Sequence, residues 1–177
     1  MKQAVIIGTS KGRTEWSKEC KASCKNSKYP VHVIHDNGFE LAHISKAYDM
    51  GFDEFLYIHD TCIIKDIKLF DMLFEEQRGQ SVALSDHPCV FGMYLGKYKR
   101  EALRGMDLPI VDSKLQAINY EETWTREYVN RPEAHVVLLT PPLHDGSNFV
   151  TIQGKQYMKL ENDFIIKYKG TWSRSMI

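Results

Sequence analysis

Three features of the sequence predict an α/β fold with a mostly parallel central sheet flanked by helices. Short continuous apolar runs recur at residues 4–8, 31–35 and 55–58, and runs of that length read as strands buried on both faces. Segments with apolar residues at helical spacing lie between them. Each run ends abruptly in a polar cluster: residues 9–13, 36–38 and 59–61. A parallel sheet lines such clusters up along the carboxyl ends of its strands, where open α/β sheets bind ligands.

Residues 4–8 form the first strand, and Thr9-Ser10-Lys11-Gly12-Arg13 is a polar loop. Thr14 caps a helix with Trp16, Cys20 and Cys24 on its apolar face, and Tyr29-Pro30 ends that segment. Residues 31–35 form the second strand, closed by the turn signal Asp36-Asn37-Gly38. A helix from Phe39 turns Leu41, Ile44 and Tyr48 inward and stops at Gly51. The third strand runs straight into His59-Asp60-Thr61, which should stand at the sheet edge with the Asp60 carboxylate exposed. Ile63-Ile64 follows, and Asp66 caps a helix carrying Ile67, Phe70, Leu73 and Phe74 that ends near Gly79.

Beyond residue 80 the pattern is less regular. Strands are expected at 81–84 and 91–95, and a short helix at 97–103. Asp112 is expected to cap a longer helix to about Val129, with Leu115, Ile118 and Glu122 on one side. A strand at 135–140 should stop at Pro141-Pro142, and residues 148–160 read as a hairpin turning near Gly154. The stretch from Lys167 to Arg174 reads as a polar, basic, mobile tail. The expected organisation is a single domain in three parts, 1–80, 81–147 and 148–177.

Composition narrows the function classes. The chain has 177 residues, 43% of them hydrophobic. At that size a domain buries roughly 70% of its unfolded surface and needs neither disulfides nor metal to fold. The 23 Lys+Arg against 23 Asp+Glu argue against nucleic-acid binding, which draws on an excess of cations. No stretch reaches the roughly 18 apolar residues of a membrane span. Cys20, Cys24, Cys62 and Cys89 show no paired metal-ligand spacing and read as free thiols of a cytoplasmic protein. Gly8-Thr-Ser-Lys-Gly12-Arg13 lacks the ending of a phosphate-cradling loop and is no dinucleotide fingerprint. His87 and Cys89, separated by Pro88, are not read as a thiol–imidazole pair.

Asp60 and Asp36 each end a strand abruptly, and a carboxylate at such an edge can hold Mg²⁺ or Mn²⁺ against a diphosphate. Read alone, either is equally a turn residue. Together with the strand order, they resemble a small glycosyltransferase of the GT-A fold, inverting and family-2-like, over roughly residues 3–75. His59-Asp60-Thr61 stands where that family commonly has Asp-x-Asp, keeping one carboxylate of the two. The resemblance implies a GT-A-like, Rossmann-like sheet and a nucleotide-diphosphate sugar, UDP- or GDP-linked, as donor. It implies an acceptor hydroxyl and a divalent cation, Mn²⁺ or Mg²⁺.

Carried over by position, Asp36 would meet the nucleoside, and Thr9, Ser10, Arg13, Lys46, His59 and Asp60 would line the nucleotide sugar. Asp60 and His144 would hold the metal. Residues 117–124 are similar to the acidic pair and Trp of the acceptor half. That likeness makes Glu122 the base, Glu121 its neighbour and Asp86 the competing base. Lys167, Lys169, Trp172 and Arg174 would close over the diphosphate. Two other readings stay open: a sugar nucleotidyltransferase, and a non-catalytic nucleotide-sugar-binding module.

Overall fold

The computed structural model describes residues 1–86, 90–144 and 148–170. His87, Cys89, Trp172 and Arg174 lie outside the described residues. The main sheet has six strands: β1 (Gln3–Thr9), β2 (Val31–His35), β3 (Glu54–His59), β5 (Ser81–Ser85), β6 (Gly96–Lys99) and β7 (Val136–Leu143). Their spatial order is β2-β1-β3-β6-β5-β7. All run parallel except β6, which is antiparallel to both β3 and β5. Helices α1 (Thr14–Ser23), α2 (Phe39–Asp49) and α5 (Lys114–Val129) flank it. So do the short α3 (Lys68–Asp71), continued by a π-helical turn through Glu76, and α4 (Arg100–Leu103). This is the expected α/β arrangement, a mostly parallel central sheet flanked by helices.

The apolar runs behave as buried strands should. Ala4 to Ile7 and Phe55 to Ile58 are almost wholly buried. Alternate residues feed two cores, one on each face of the sheet. Ala4, Ile6, Phe55 and Tyr57 pack with α2 and α5; Val5, Ile7, Leu56 and Ile58 pack with Cys20, Phe70 and Phe74. This two-face burial explains why the runs are continuous rather than alternating. Cys20, Cys24 and Cys62 are free and buried, as expected.

A second, antiparallel sheet is less simple than a hairpin and tail. The hairpin is there, β8 (Phe149–Ile152) and β9 (Lys155–Glu161), turning at Gln153-Gly154 with positive φ at both residues, 51° and 77°. Its sheet continues through β10 (Ile165–Gly170) to β4 (Cys62–Ile64), in the order β4-β10-β9-β8. Residues 167–170 are therefore strand and not mobile tail. Trp16 of α1 packs its ring against Tyr157 and Tyr168 of this sheet.

Four local expectations change. Arg13, not Thr14, is the N-cap of α1, and Thr14 is its first residue. Residues 91–95 are a tight turn rather than a strand, with Phe91, Met93 and Tyr94 all at φ near 60° (67°, 57° and 57°). Lys97 lies in β6, not in a helix, because its ammonium is satisfied inside. It donates to Leu73 O (2.6 Å) and Gln77 O (2.7 Å) beside Glu54 (3.5 Å). Strand β7 runs on through Pro141 and Pro142, which an edge strand tolerates because it needs few donors.

The largest change is the phase of α5. Ser113, not Asp112, caps it. Leu115 (50% exposed), Ile118 (39%) and Glu122 face outward, while Ala117, Glu121, Trp124 and Tyr128 face the core. The aromatic residues decide this. They bury far more apolar area than Leu115 and Ile118 could, and their polar tips find partners inside. Trp124 Nε1 donates to Asp107 O (2.9 Å), and Tyr128 Oη meets Ser81 Oγ (2.7 Å) and Lys99 N (2.9 Å).

Candidate functional site

Register brings the polar strand ends together. Strand β1 lies between β2 and β3, pairing Thr9 with His35 and Gly8 with His59. The ladder extends one residue into each loop: Asp36 N donates to Thr9 O and Asp60 N to Gly8 O, both at 3.0 Å. Asp36 and Asp60 thus flank Thr9 on a common edge. His43 of α2 ties this edge down from beneath. Its Nε2 lies 3.2 Å from Thr9 O and 3.1 Å from Asp36 O, and its Nδ1 lies 3.0 Å from Tyr57 Oη. Two carbonyls require Nε2 to carry the proton, so Nδ1 accepts from tyrosine. Burial lowers the pKa of the ring, which favours this neutral form. Gly8 completes the fit, because a Cβ there would come within 2.5 Å of Tyr57 Oη and 2.6 Å of His43 Nδ1.

The Asp36 corner is open. Its Oδ1 accepts from Gly38 N at 2.6 Å, and its Oδ2 pairs with Lys46, half-exposed on α2. The ammonium and the amide together hold Asp36 below the usual carboxylate pKa. Beside this pair a shallow cleft of about 530 Å³ opens between β2 and α2, lined by His32, His35, Lys46 and Asp49.

The Asp60 corner is closed, contrary to the expected exposed carboxylate. Asp60 is 2% exposed. Its Oδ2 accepts from Thr9 Oγ1 (2.7 Å) and from Arg13 Nε (3.0 Å). The chain turns the carboxylate in because Thr9 and Arg13 supply two donors there, one of them charged, which offsets the desolvation of the acid. His59 is treated similarly. Lys167 of β10, 4% exposed, donates to His59 Nδ1 (2.7 Å) and to Thr61 Oγ1. Burial, with the ammoniums of Lys167 and Lys114 alongside, holds the His59 pKa well below its ordinary value. Burial likewise lowers that of Lys167.

Across from this edge stands Glu121. Its Oε1 accepts the backbone N–H of Met93, in the strained turn before β6. Burial raises its pKa, and the nearby Glu40 carboxylate adds to the rise. Glu40, in the first turn of α2, lies 3.4 Å from Lys114 Nζ and 3.7 Å from His59 Nε2. Glu40 Oε2 and His59 Nε2 have no hydrogen-bond partner among the described residues. Phe39 before it is left-handed, at φ 59°. Left-handed non-glycine residues cost about 1–3 kcal/mol each; Phe39 adjoins Glu40, and Met93, the donor to Glu121, is another.

The predicted residues therefore divide. Thr9, Ser10, Arg13, Asp36, Lys46, His59 and Asp60 share one edge, and Glu121 faces it from α5. Glu122 points to solvent, 58% exposed, and pairs with Arg126 one turn on. Asp86 and His144, at the ends of the parallel neighbours β5 and β7, pair with each other (His144 Nδ1 to Asp86 Oδ1, 3.0 Å). Sequence reasoning missed Glu40, His43 and Lys114 and gave Lys167 only a loose lid role. A histidine inside the Leu41-Ile44-Ala47 face was the available signal for His43. Glu40 and Lys114 look like ordinary first-turn helix residues and carry no such signal.

The expected divalent cation does not fit this donor set as arranged. Asp60 Oδ2 and His59 Nδ1 are each already met by a protein cation. Unit charges about 4 Å apart interact by about 4 kcal/mol at an effective dielectric near 20, so a dication placed there would meet strong repulsion. Among the described residues no three His, Cys, Asp or Glu side chains gather to hold a metal. Among them, too, no helix is long and apolar enough to cross a membrane.

Comparison with known proteins bears on the fold. No family model matches the chain, and no curated protein matches it in sequence. The crystal structure of A197 from STIV superposes over 97% of this chain and 96% of its own, with TM-score 0.55 at 11% identity. The likeness is one of fold. A glycosyltransferase involved in glycosylation of the major capsid of PBCV-1 superposes over 77% of this chain and 80% of its own, with TM-score 0.47 at 14% identity.

Proposed function

We propose that the chain is a glycosyltransferase that moves a sugar from a nucleotide-diphosphate sugar to an acceptor hydroxyl. One observation supports this most: three parallel strand ends present Thr9, Arg13, Asp36 and Asp60 on one edge, while Glu121 faces them with a raised pKa. The nucleoside lies at the Asp36–Lys46 corner. Lys46 holds Asp36 Oδ2 and Gly38 N holds Oδ1, so a ribose or base donor shares the carboxylate with them, and the adjoining cleft beside Lys46 adds to the recognition. The diphosphate lies over Arg13, whose guanidinium suits phosphate oxygens.

Glu121 takes the acceptor's proton. The hydroxyl oxygen bonds to the anomeric carbon, the bond from that carbon to the diphosphate breaks, and the diphosphate leaves with its electron pair. Attack from the Glu121 side, opposite the leaving group, inverts the anomeric centre. A base must reach its proton and hold a pKa near the working pH; Glu121 has the better placement and Glu122 the worse. Asp86 with His144 is the competing base, a carboxylate orienting an imidazole at the next pair of strand ends.

Calorimetry with UDP- and GDP-sugars, followed by a donor-hydrolysis assay, tests the reading. Binding with slow release of free sugar is the expected outcome. No binding of any nucleotide sugar would sink it. Tight binding with no turnover toward any hydroxyl acceptor would leave the non-catalytic binding module in its place.

A further inference from the structure

We propose that the His59-Asp60-Thr61 edge holds its diphosphate with fixed protein cations in place of a divalent metal, Arg13 by contact and the buried Lys167 by its charge beneath the edge. This rests on the nucleotide-sugar reading above and names how that site meets its anionic ligand.

The inference comes from where the donors go. A metal at this edge would draw on the lone pairs of the motif; the structure commits Asp60 Oδ2 and His59 Nδ1, and an imidazole that accepts at Nδ1 carries its proton on Nε2. Arg13 Nε reaches Asp60 Oδ2 at 3.0 Å, with Thr9 Oγ1 on the same oxygen at 2.7 Å. Lys167 Nζ reaches His59 Nδ1 at 2.7 Å and Thr61 Oγ1 on the other flank. His144, the expected further ligand, is paired with Asp86 instead. Each residue of the motif is thus capped by a cation or a hydroxyl.

The arrangement is stable as it stands and still suits an anion. Arg13 is 41% exposed at its side chain and uses Nε on Asp60. The fork of its two terminal nitrogens is the part of guanidinium that matches phosphate. Lys167 is delivered by β10, whose Tyr168 N donates to Thr61 O at 3.0 Å. That bond fixes the strand, and with it the ammonium, against the motif. Asp60 and the neutral His59 act here as positioning residues that aim two cations. They do not act as ligands.

Two measurements on the full chain decide it. Mn²⁺ electron paramagnetic resonance of the ligand-free protein should show only the free ion. One bound Mn²⁺ per chain, lost in Asp60→Asn, would overturn the proposal. Calorimetry with UDP and GDP should give the same affinity, within about twofold, in EDTA and in Mn²⁺. Arg13→Gln, at a partly exposed position, should weaken that affinity about tenfold or more in both conditions. Lys167→Met should do likewise, and Lys167→Arg keeps the charge where Lys167→Met fails to fold. A tenfold loss in EDTA that Mn²⁺ restores would overturn the cation assignment while leaving the nucleotide-sugar reading intact. Failure of both nucleotides to bind in either condition would overturn that reading, with the Mn²⁺ spectrum still deciding the metal question by itself.

Discussion

The strand edge and the α5 helix handle carboxylates in opposite ways. On the strand edge, Asp60 is buried beneath a guanidinium and a hydroxyl, so its charge is matched within the protein. On the α5 side, Glu121 is partly buried with one backbone N–H as its hydrogen-bond donor, and its pKa rises. A carboxylate with two donors, one of them charged, is engaged within the protein, while burial of one short of donors favours its protonated form. The difference separates an acid that builds the site from an acid that works in it.

The largest expected effect breaks the comparison on the working side. Glu121→Gln should lower turnover about 10²–10⁴-fold, the usual range for removing a general base, with nucleotide affinity unchanged. Steady-state kinetics beside calorimetry checks this. Glu122→Gln should stay within about twofold in both, since Glu122 makes only an exposed pair with Arg126. Equal losses in the two variants would remove the distinction.

Next comes the building side. Asp60→Ala strands the Thr9 hydroxyl and releases Arg13, and should lower unfolding free energy by about 1–3 kcal/mol in urea titrations. The exposure of Arg13 keeps the effect below that of a fully buried ion pair.

The smallest effect concerns pH, and its sign differs between two acids. Asp36 has a folded pKa below its ordinary value of 3.8. The native state therefore binds fewer protons, and the stability Asp36 contributes is present above 3.8 and lost as pH falls through the folded value. Glu121 has a folded pKa above its ordinary 4.5, so stability declines as pH rises from 4.5 through its folded value. Urea midpoints of Asp36→Asn and Glu121→Gln across this range should deviate from the parent in these opposite directions. Matching deviations would contradict one of the two environments.

The strand edge was legible because a strand's end is also the end of its apolar run. Asp36 and Asp60 fall at the sheet's carboxyl edge whatever the neighbouring register. Burial of the Asp60 carboxylate was not legible, since it depends on Arg13, four residues past β1, and on a strand some hundred residues later. The α5 side fails for a different reason. Adjacent residues on a helix are separated by about 100°, so reading the stripe from Leu115 and Ile118 rather than from Trp124 and Tyr128 exchanges Glu122 for Glu121. Trp124 and Tyr128, four apart and both with polar tips, were the better guide to phase.

Lys167 and His59 are 108 positions apart in the chain. On a ribosome, β1 to β3 can pair while β10, the ladder partner of β4 and the strand that carries Lys167, has yet to be made. Through that interval the edge of β4 and the imidazole of His59 are bare. A long-range closure of this kind comes late, because its loop entropy is recovered only when the strand docks. Synthesis order therefore makes the arrival of β10 both the sealing of a vulnerable strand edge and the moment at which the pocket acquires its charge.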